Sequence, residues 1–206
     1  MQKPSLLSNA AIIASMMVLP GFSQAGTYIE GKDIPADLRP FVTADTKLLA
    51  FVSADLNGDD KADYVFIVEK QKKRPTDEDI EDGQRPLHIA IRQADSKLKL
   101  VKTNEKIVLC STCGGMMGDP FADLTANKKS FTVSHYGGSA WRWANAYQFN
   151  YSRKDDTWQL VKVSESSFHT SEPDKAKEKI YTPPRHFGKI DIADFNPEKF
   201  KNPGIK

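Results

Sequence analysis

"FVSADLNGDDKADYVFIV", Phe51 to Val68, sets two apolar runs on either side of a loop of acidic and amide side chains. The runs belong to "KLLAFVS" (Lys47–Ser53) and "DYVFIVE" (Asp63–Glu69), both short and apolar, the second rich in β-branched and aromatic residues. Runs of this kind bounded by turn residues read as strands, so the stretch is a hairpin. Tyr64 to Val68 has no polar interruption, which predicts a strand buried on both faces.

The same pattern repeats outward. "LHIAIRQ" (Leu87–Gln93) puts Leu87, Ile89 and Ile91 on one face, "ADSK" is turn chemistry, and "LKLVK" (Leu98–Lys102) returns. Lys47 to Lys102 is therefore a predicted four-stranded meander, and "KIVLC" (Lys106–Cys110) is one more short apolar run. A second set begins at Pro120, where "PFADLTANKK" holds a short strand. "SFTVSHY" (Ser130–Tyr136) alternates Phe131, Val133 and His135 against Thr132, Ser134 and Tyr136. Gly137-Gly138 signals a hairpin turn. "WRWANAYQFNY" then places Trp141, Trp143, Asn145, Tyr147, Phe149 and Tyr151 on one face. In "TWQLVKVS" (Thr157–Ser164) the apolar alternation switches face between Leu160 and Val161, which predicts a bulge there.

The fold class is mainly β, with antiparallel meanders forming a sandwich or a curled sheet and little helix. The meanders look like propeller blades, but a closed propeller takes at least about four blades, too many for a 206-residue chain. "IPADLRPF" (Ile34–Phe41) reads as a short helical turn limited by its prolines. The Pro- and Lys-rich tail from Ser171 reads as a C-terminal extension of a single domain, with one further strand expected at "FGKIDIADF" (Phe187–Phe195). "EKQKKRPTDEDIEDGQRP" (Glu69–Pro86) has almost no apolar residue and reads as a solvated loop.

Residues 1–25 have the layout of a secretory signal peptide: Lys3, the apolar run Ala10–Leu19, and the small-residue end Ser23-Gln24-Ala25. The expectation is a cleaved leader, a mature start at Gly26, and a periplasmic location, with an extracellular one as the variant. The apolar run is shorter than the ~20 residues a bilayer span needs. With 29 basic and 27 acidic residues, the charge balance gives no electrostatic case for nucleic acid or an anionic membrane. The two cysteines, Cys110 and Cys113 in "CSTCGG", suit a disulfide in an oxidising compartment. Thioredoxin-like use needs the first Cys at a helix N-terminus, and the following Gly114 to Pro120 is poor helix material. A zinc site would need two more ligands.

Asp55, Asn57, Asp59 and Asp63 fall at positions 1, 3, 5 and 9 of a calcium loop, with the Lys61 carbonyl at position 7 and Gly58 at the bend. Calcium takes six to eight hard oxygen ligands, which this spacing offers. Position 12 is Phe66 rather than Glu, so the loop is not an EF-hand. It resembles the strand–loop–strand calcium loop of FG-GAP and VCBS-type β-repeat proteins, D-x-[DN]-G-D-x-x-x-D before an apolar strand. That resemblance implies a structural Ca2+. The other reading is a polar hairpin loop whose Asp and Asn side chains cap backbone N–H groups.

"HYGGSAWRW" (His135–Trp143) concentrates aromatic and basic side chains at a hairpin tip. His135, Tyr136, Trp141, Arg142 and Trp143 are the candidate ligand or partner contacts, a platform for a sugar ring or a peptide side chain. His135 and Arg142 are the ones expected at the surface. The competing reading makes the odd-numbered face, Trp141, Trp143 and Tyr147, the filling of a core. "DLNGDDKADYVFIVE", "RPLHIAIRQ", "CSTCGGMMGDPF", "HYGGSAWRW" and "HFGKIDIADF" occur in this order. The series resembles a family of bacterial secreted and periplasmic proteins sharing C-x-x-CGG-x-x-GDPF…HYGGS-x-W-R-W. The resemblance implies one exported domain and names no activity.

No hydrolase, zincin or phosphate-loop motif is present, so no catalytic residue is assigned and the enzyme reading is the weaker one. The expectation is a non-catalytic exported binding module, of inhibitor or immunity type, for another protein or a cell-wall fragment. An envelope hydrolase and a purely structural envelope protein are the alternatives.

Overall fold

The computed structural model describes residues 34–71 and 84–200, together with the backbone of residues 24–25 and 27–28. Residues 1–23 of the expected signal peptide, 1–25, lie outside the described residues, as does most of the charged loop, 72–83. The first element lies at the expected cleavage point: β1 is Gln24–Ala25 and β2 is Thr27–Tyr28.

The fold is mainly β, as the alternation predicts. β3 (Thr46–Ala54), β4 (Asp63–Lys70), β5 (Leu87–Arg92) and β6 (Leu98–Asn104) form the first meander. β7 (Phe121–Asn127), β8 (Ser130–Gly138), β9 (Trp141–Ser152) and β10 (Thr157–His169) form the second. β11 (Lys177–Tyr181) adds an edge strand to the second meander. The two sheets are antiparallel, in the orders β2-β3-β4-β5-β6 and β1-β7-β8-β9-β10-β11. The segment carrying β1 and β2 pairs with β7 on one sheet and then β3 on the other; cleavage before Gly26 would remove β1 and leave the β2–β3 pairing.

Both sheets turn one face into a common core. Val65, Ile67, Leu87 and Ile89 come from the first sheet, and Leu124, Phe131, Val133, Phe149 and Leu160 from the second. β4 is buried on both faces, as its unbroken apolar run predicts. Phe66 and Val68 face a second cluster closed by Leu38 of the 3-10 turn Ala36–Phe41. The register of β10 against β9 slips between Leu160 and Lys162, where the alternation changes face, so that Leu160 and Val163 both point inward.

The short apolar run Lys106–Cys110 lies outside the strands, because the buried Asn104 accepts from the N–H groups of Lys106 and Ile107 and turns the chain. One expectation is corrected. Phe187–Phe195 forms only one bridge, Gln159 with Asp191. Its apolar residues Ile192 and Phe195 instead plug the core, and the Asn104 amide donates to both of their carbonyls. The C-terminal segment is thus integral to the fold.

Candidate functional site

The β3–β4 loop brings the expected acidic residues together. One carboxylate oxygen from each of Asp55, Asp59 and Asp63 lies within 4.8 Å of the others. The sequence dictates this local shape through side-chain caps. Asp55 Oδ1 accepts from the N–H of Gly58 at 2.6 Å and of Asp59 at 3.1 Å, and Oδ2 accepts from Asp60 at 3.1 Å. Asn57 accepts from Asp59, and Asp59 accepts from the N–H of Lys61. Gly58 takes φ +84°, and any Cβ there would strike the Lys129 side chain at 1.9 Å.

Asp63 is the buried pin of the loop. It is 0% exposed, and its two oxygens accept from the N–H groups of Leu56 and Arg92, both at 2.9 Å. Burial raises its carboxyl above the usual carboxylate range despite those two bonds, with the charges of Asp59 and Asp55 adding to the effect. For Asp55, burial also pulls upward, but the Gly58 N–H, the Lys128 ammonium and the other backbone donors together hold it below the usual range. Lys128 bridges Asp55 (3.2 Å) and Asp60. Its ammonium is held protonated first by Asp60 and then by Asp55.

The donor set suits a hard cation. Three carboxylates converge, the Asn57 amide stands beside them, and Asp59 Oδ1 and both Asp63 oxygens accept one backbone N–H each and keep a second lone pair, whereas Asp55 Oδ1 already accepts two. Both readings of the loop therefore coexist: its acids cap backbone groups, and they form a cluster able to hold a metal ion. What the sequence does not signal is Lys128, which reaches in from the β7–β8 turn and competes for the same charge.

The Cys110–Cys113 disulfide is formed, and no free cysteine remains. The loop it closes lies against β8. Gly138 N–H donates to the Gly114 carbonyl at 2.8 Å, and a Cβ on Gly137 would meet Gly114 Cα at 3.1 Å and the Trp143 ring at 2.5 Å. The absence of a side chain at Gly137 thus permits this close approach. An ion network ties the same loop to the first sheet. Arg85, 2% exposed, forms a bidentate pair with Asp119 at 2.6 Å on each arm, bonds Glu69 through Nε at 2.8 Å, and donates to the Leu109 carbonyl. Burial pulls both carboxyls upward, but the hydrogen bonds from Arg85 to Asp119, and from Lys47 and Arg85 to Glu69, leave both below their ordinary values.

The candidate contact residues separate. His135, expected at the surface, is 1% exposed, a correction that its place beside Val133 explains: its inward position in the alternation outweighs its polarity. Its Nε2 accepts from the Leu109 N–H at 3.4 Å, while Nδ1 has no partner. Burial, then the charge of Arg85, push the imidazole down to about 4. Tyr136 and Arg142 sit half-buried on the opposite, outward face, where Arg142 donates to the Gly138 carbonyl at 3.2 Å.

The odd-numbered face of β9 divides in two. Tyr147 and Phe149 are core, while Trp143 is half-buried and Trp141 is 65% exposed. β9 and β10 run 12 and 13 residues, beyond the usual strand length of ~5–6. Their far ends carry the core-facing side of the sheet past the core. There Trp143, Asn145, Glu165, Ser167, Lys177 and Lys179 line a groove of about 300 Å³. Met116 (84% exposed) and Met117 stand in the turn packed beside Gly138, at the same end of the molecule. Glu165, Ser167, Lys177 and Lys179 were not expected as site residues; only their register beside Trp143 and Asn145 reveals them. No protein-family model matches the chain, and comparison with curated proteins and with solved structures gives no match.

Proposed function

We propose that this chain is an exported, non-catalytic binding module of the bacterial periplasm, and that its ligand, a cell-wall fragment or a second protein, docks at the overhanging end of β9 and β10. The observation that carries this reading is the overhang itself. Trp141 and Trp143 occupy core-facing positions on a sheet whose core has ended, so large aromatic surface stays in water at one place. Large side chains with an apolar body and a polar tip are the common anchors of binding surfaces. Met116 and Met117 extend the apolar surface, and Met adapts its shape to a partner.

Calcium enters this reading as a structural cofactor. It would be held by Asp55, Asn57, Asp59, the Lys61 carbonyl and Asp63, relieving the repulsion from Asp59 and Asp55 that adds to burial in raising the Asp63 carboxyl. The cation would fix the β3–β4 loop against Trp158, whose indole N–H donates to the Leu56 carbonyl. Export rests on the Lys3, Ala10–Leu19 and Ala25 pattern.

The test is a titration of the mature chain with soluble cell-wall digests and with purified periplasmic hydrolases, read by tryptophan fluorescence. Saturable quenching that disappears in Trp141→Ala supports the module. A response unchanged by that substitution, or none from any ligand tried, counts against it.

A further inference from the structure

The groove at the overhang has a composition found nowhere on the covered part of the same face. Two rows cross the sheet there. One runs Gly137, Trp143, Ser167, Lys177, and the next runs His135, Asn145, Glu165, Lys179. The row beyond them, Val133, Tyr147, Val163, Tyr181, is buried core. The groove therefore has a floor of fixed strands and one aromatic wall.

That wall is rigid. The Trp143 ring lies on Gly137, where even a methyl group would overlap it at 2.5 Å. Beside it on the same face are an amide, a carboxylate and a hydroxyl, from Asn145, Glu165 and Ser167. Lys177 and Lys179 stand on the exposed edge strand and form no ion pair among the described residues. The groove thus carries two free ammonium groups against one carboxylate.

We propose that this groove binds a hexuronate ring of a glycan, which rests on the binding-module reading above and gives it a ligand class. The C–H face of a pyranose lies flat on an indole, excluding water from both. Its hydroxyls donate to Glu165 and exchange hydrogen bonds with Asn145 and Ser167. Its ring carboxylate pairs with Lys177 or Lys179, which lie two strand spacings, ~10 Å, from the strand of Trp143. An apolar occupant would strip water from Glu165 and the lysines without pairing them. A dense polyanion would meet Glu165. A neutral ring leaves the excess positive charge without its complement. The volume, about 300 Å³, is at the lower end for small-ligand sites and suits one or two rings.

The experiment is isothermal titration of the mature chain with trigalacturonate, with its methyl ester, which has the same rings without charge, and with a muramic-acid disaccharide. The acid is expected to bind about tenfold tighter than the ester at low salt, and the gap to narrow as salt screens it. Lys177→Gln/Lys179→Gln, on an exposed edge, is expected to keep its Tm and lose the preference. Trp143→Ala is expected to lose binding of both, and the lysine variant serves as the test should that protein fail to fold. Equal binding of acid and ester, no binding of either, preference for the muramic-acid disaccharide, or a preference surviving in the lysine variant overturns the hexuronate assignment. A protein or other cell-wall ligand that still quenches Trp141 in those cases leaves the binding-module reading standing.

Discussion

Arg85→Met tests the link between the two sheets. The wild-type guanidinium is 2% exposed and joins Glu69 of β4 to Asp119 of the disulfide loop. Methionine keeps much of the side-chain length but none of the five donors. Removing one partner of a buried ion pair costs ~3–5 kcal/mol, most of it from the charge left behind. Two features reduce that here. Asp119 is 34% exposed and keeps the Phe121 N–H, while Glu69 keeps Lys47 at 2.9 Å. About 2–3 kcal/mol remains, a urea midpoint shift of roughly 1 M for an m-value near 2 kcal/mol/M. Because the penalty is uncompensated charge, adding Glu69→Gln and Asp119→Asn to the same protein recovers part of it. Both carboxyls sit below their ordinary values in the folded state. Their contribution is therefore full above the ordinary carboxylate range and lost as pH falls through the folded values. The gap between wild type and variant closes in acid. A loss below ~0.5 kcal/mol at pH 7, or a gap independent of pH, would refute the reasoning.

Further expectations follow from other contacts. His135 is held neutral with its pKa pushed down to about 4 from 6.5, so its contribution is full above 6.5 and falls by ~3 kcal/mol as pH drops toward 4. In His135→Phe that limb of the stability–pH curve is expected to vanish, at ~1 kcal/mol lost at pH 7 for the Leu109 N–H. Gly137→Ala drives a methyl into the Trp143 ring and Gly114 and is expected to cost ~1–3 kcal/mol in a denaturant melt. Cys110→Ser/Cys113→Ser opens a very small loop, and the chain-entropy account limits the loss to ~2 kcal/mol. Thermal unfolding with calcium, magnesium or a chelator should show a calcium-specific rise in Tm, about 2.7 kcal/mol at a hundredfold excess over Kd, abolished in Asp55→Ala. Lys128→Gln should strengthen the calcium response, because its ammonium no longer pairs with Asp55 and Asp60.

Much of the architecture was legible because it is local. Alternation over Leu87–Ile91 and Phe131–Val133 gave faces, the face change at Leu160 gave the bulge, and the spacing of Asp55, Asp59 and Asp63 gave the cluster. β11 was missed because "KEKIY" has almost no apolar signal; it is a strand through pairing with Ser164–Ser167. His135 is buried against its polarity because its place in the alternation, beside Phe131 and Val133, turns it inward. Arg85 with Asp119, Asn104 with Phe195, and Lys128 with Asp55 join residues far apart in the chain. Nothing local in the sequence marks such pairs. The groove is of the same kind, since Lys177 and Lys179 reach Trp143 and Asn145 only through two strand pairings.

The most direct measurement is the NMR response of the three indole N–H groups of the protein during titration with cell-wall and protein ligands. Trp141 and Trp143 stand at the overhang, while Trp158 is 2% exposed and bonded to the Leu56 carbonyl. The account predicts that the Trp141 and Trp143 signals shift with ligand and the Trp158 signal stays fixed. Signals that all stay fixed, or a shift confined to Trp158, would contradict it.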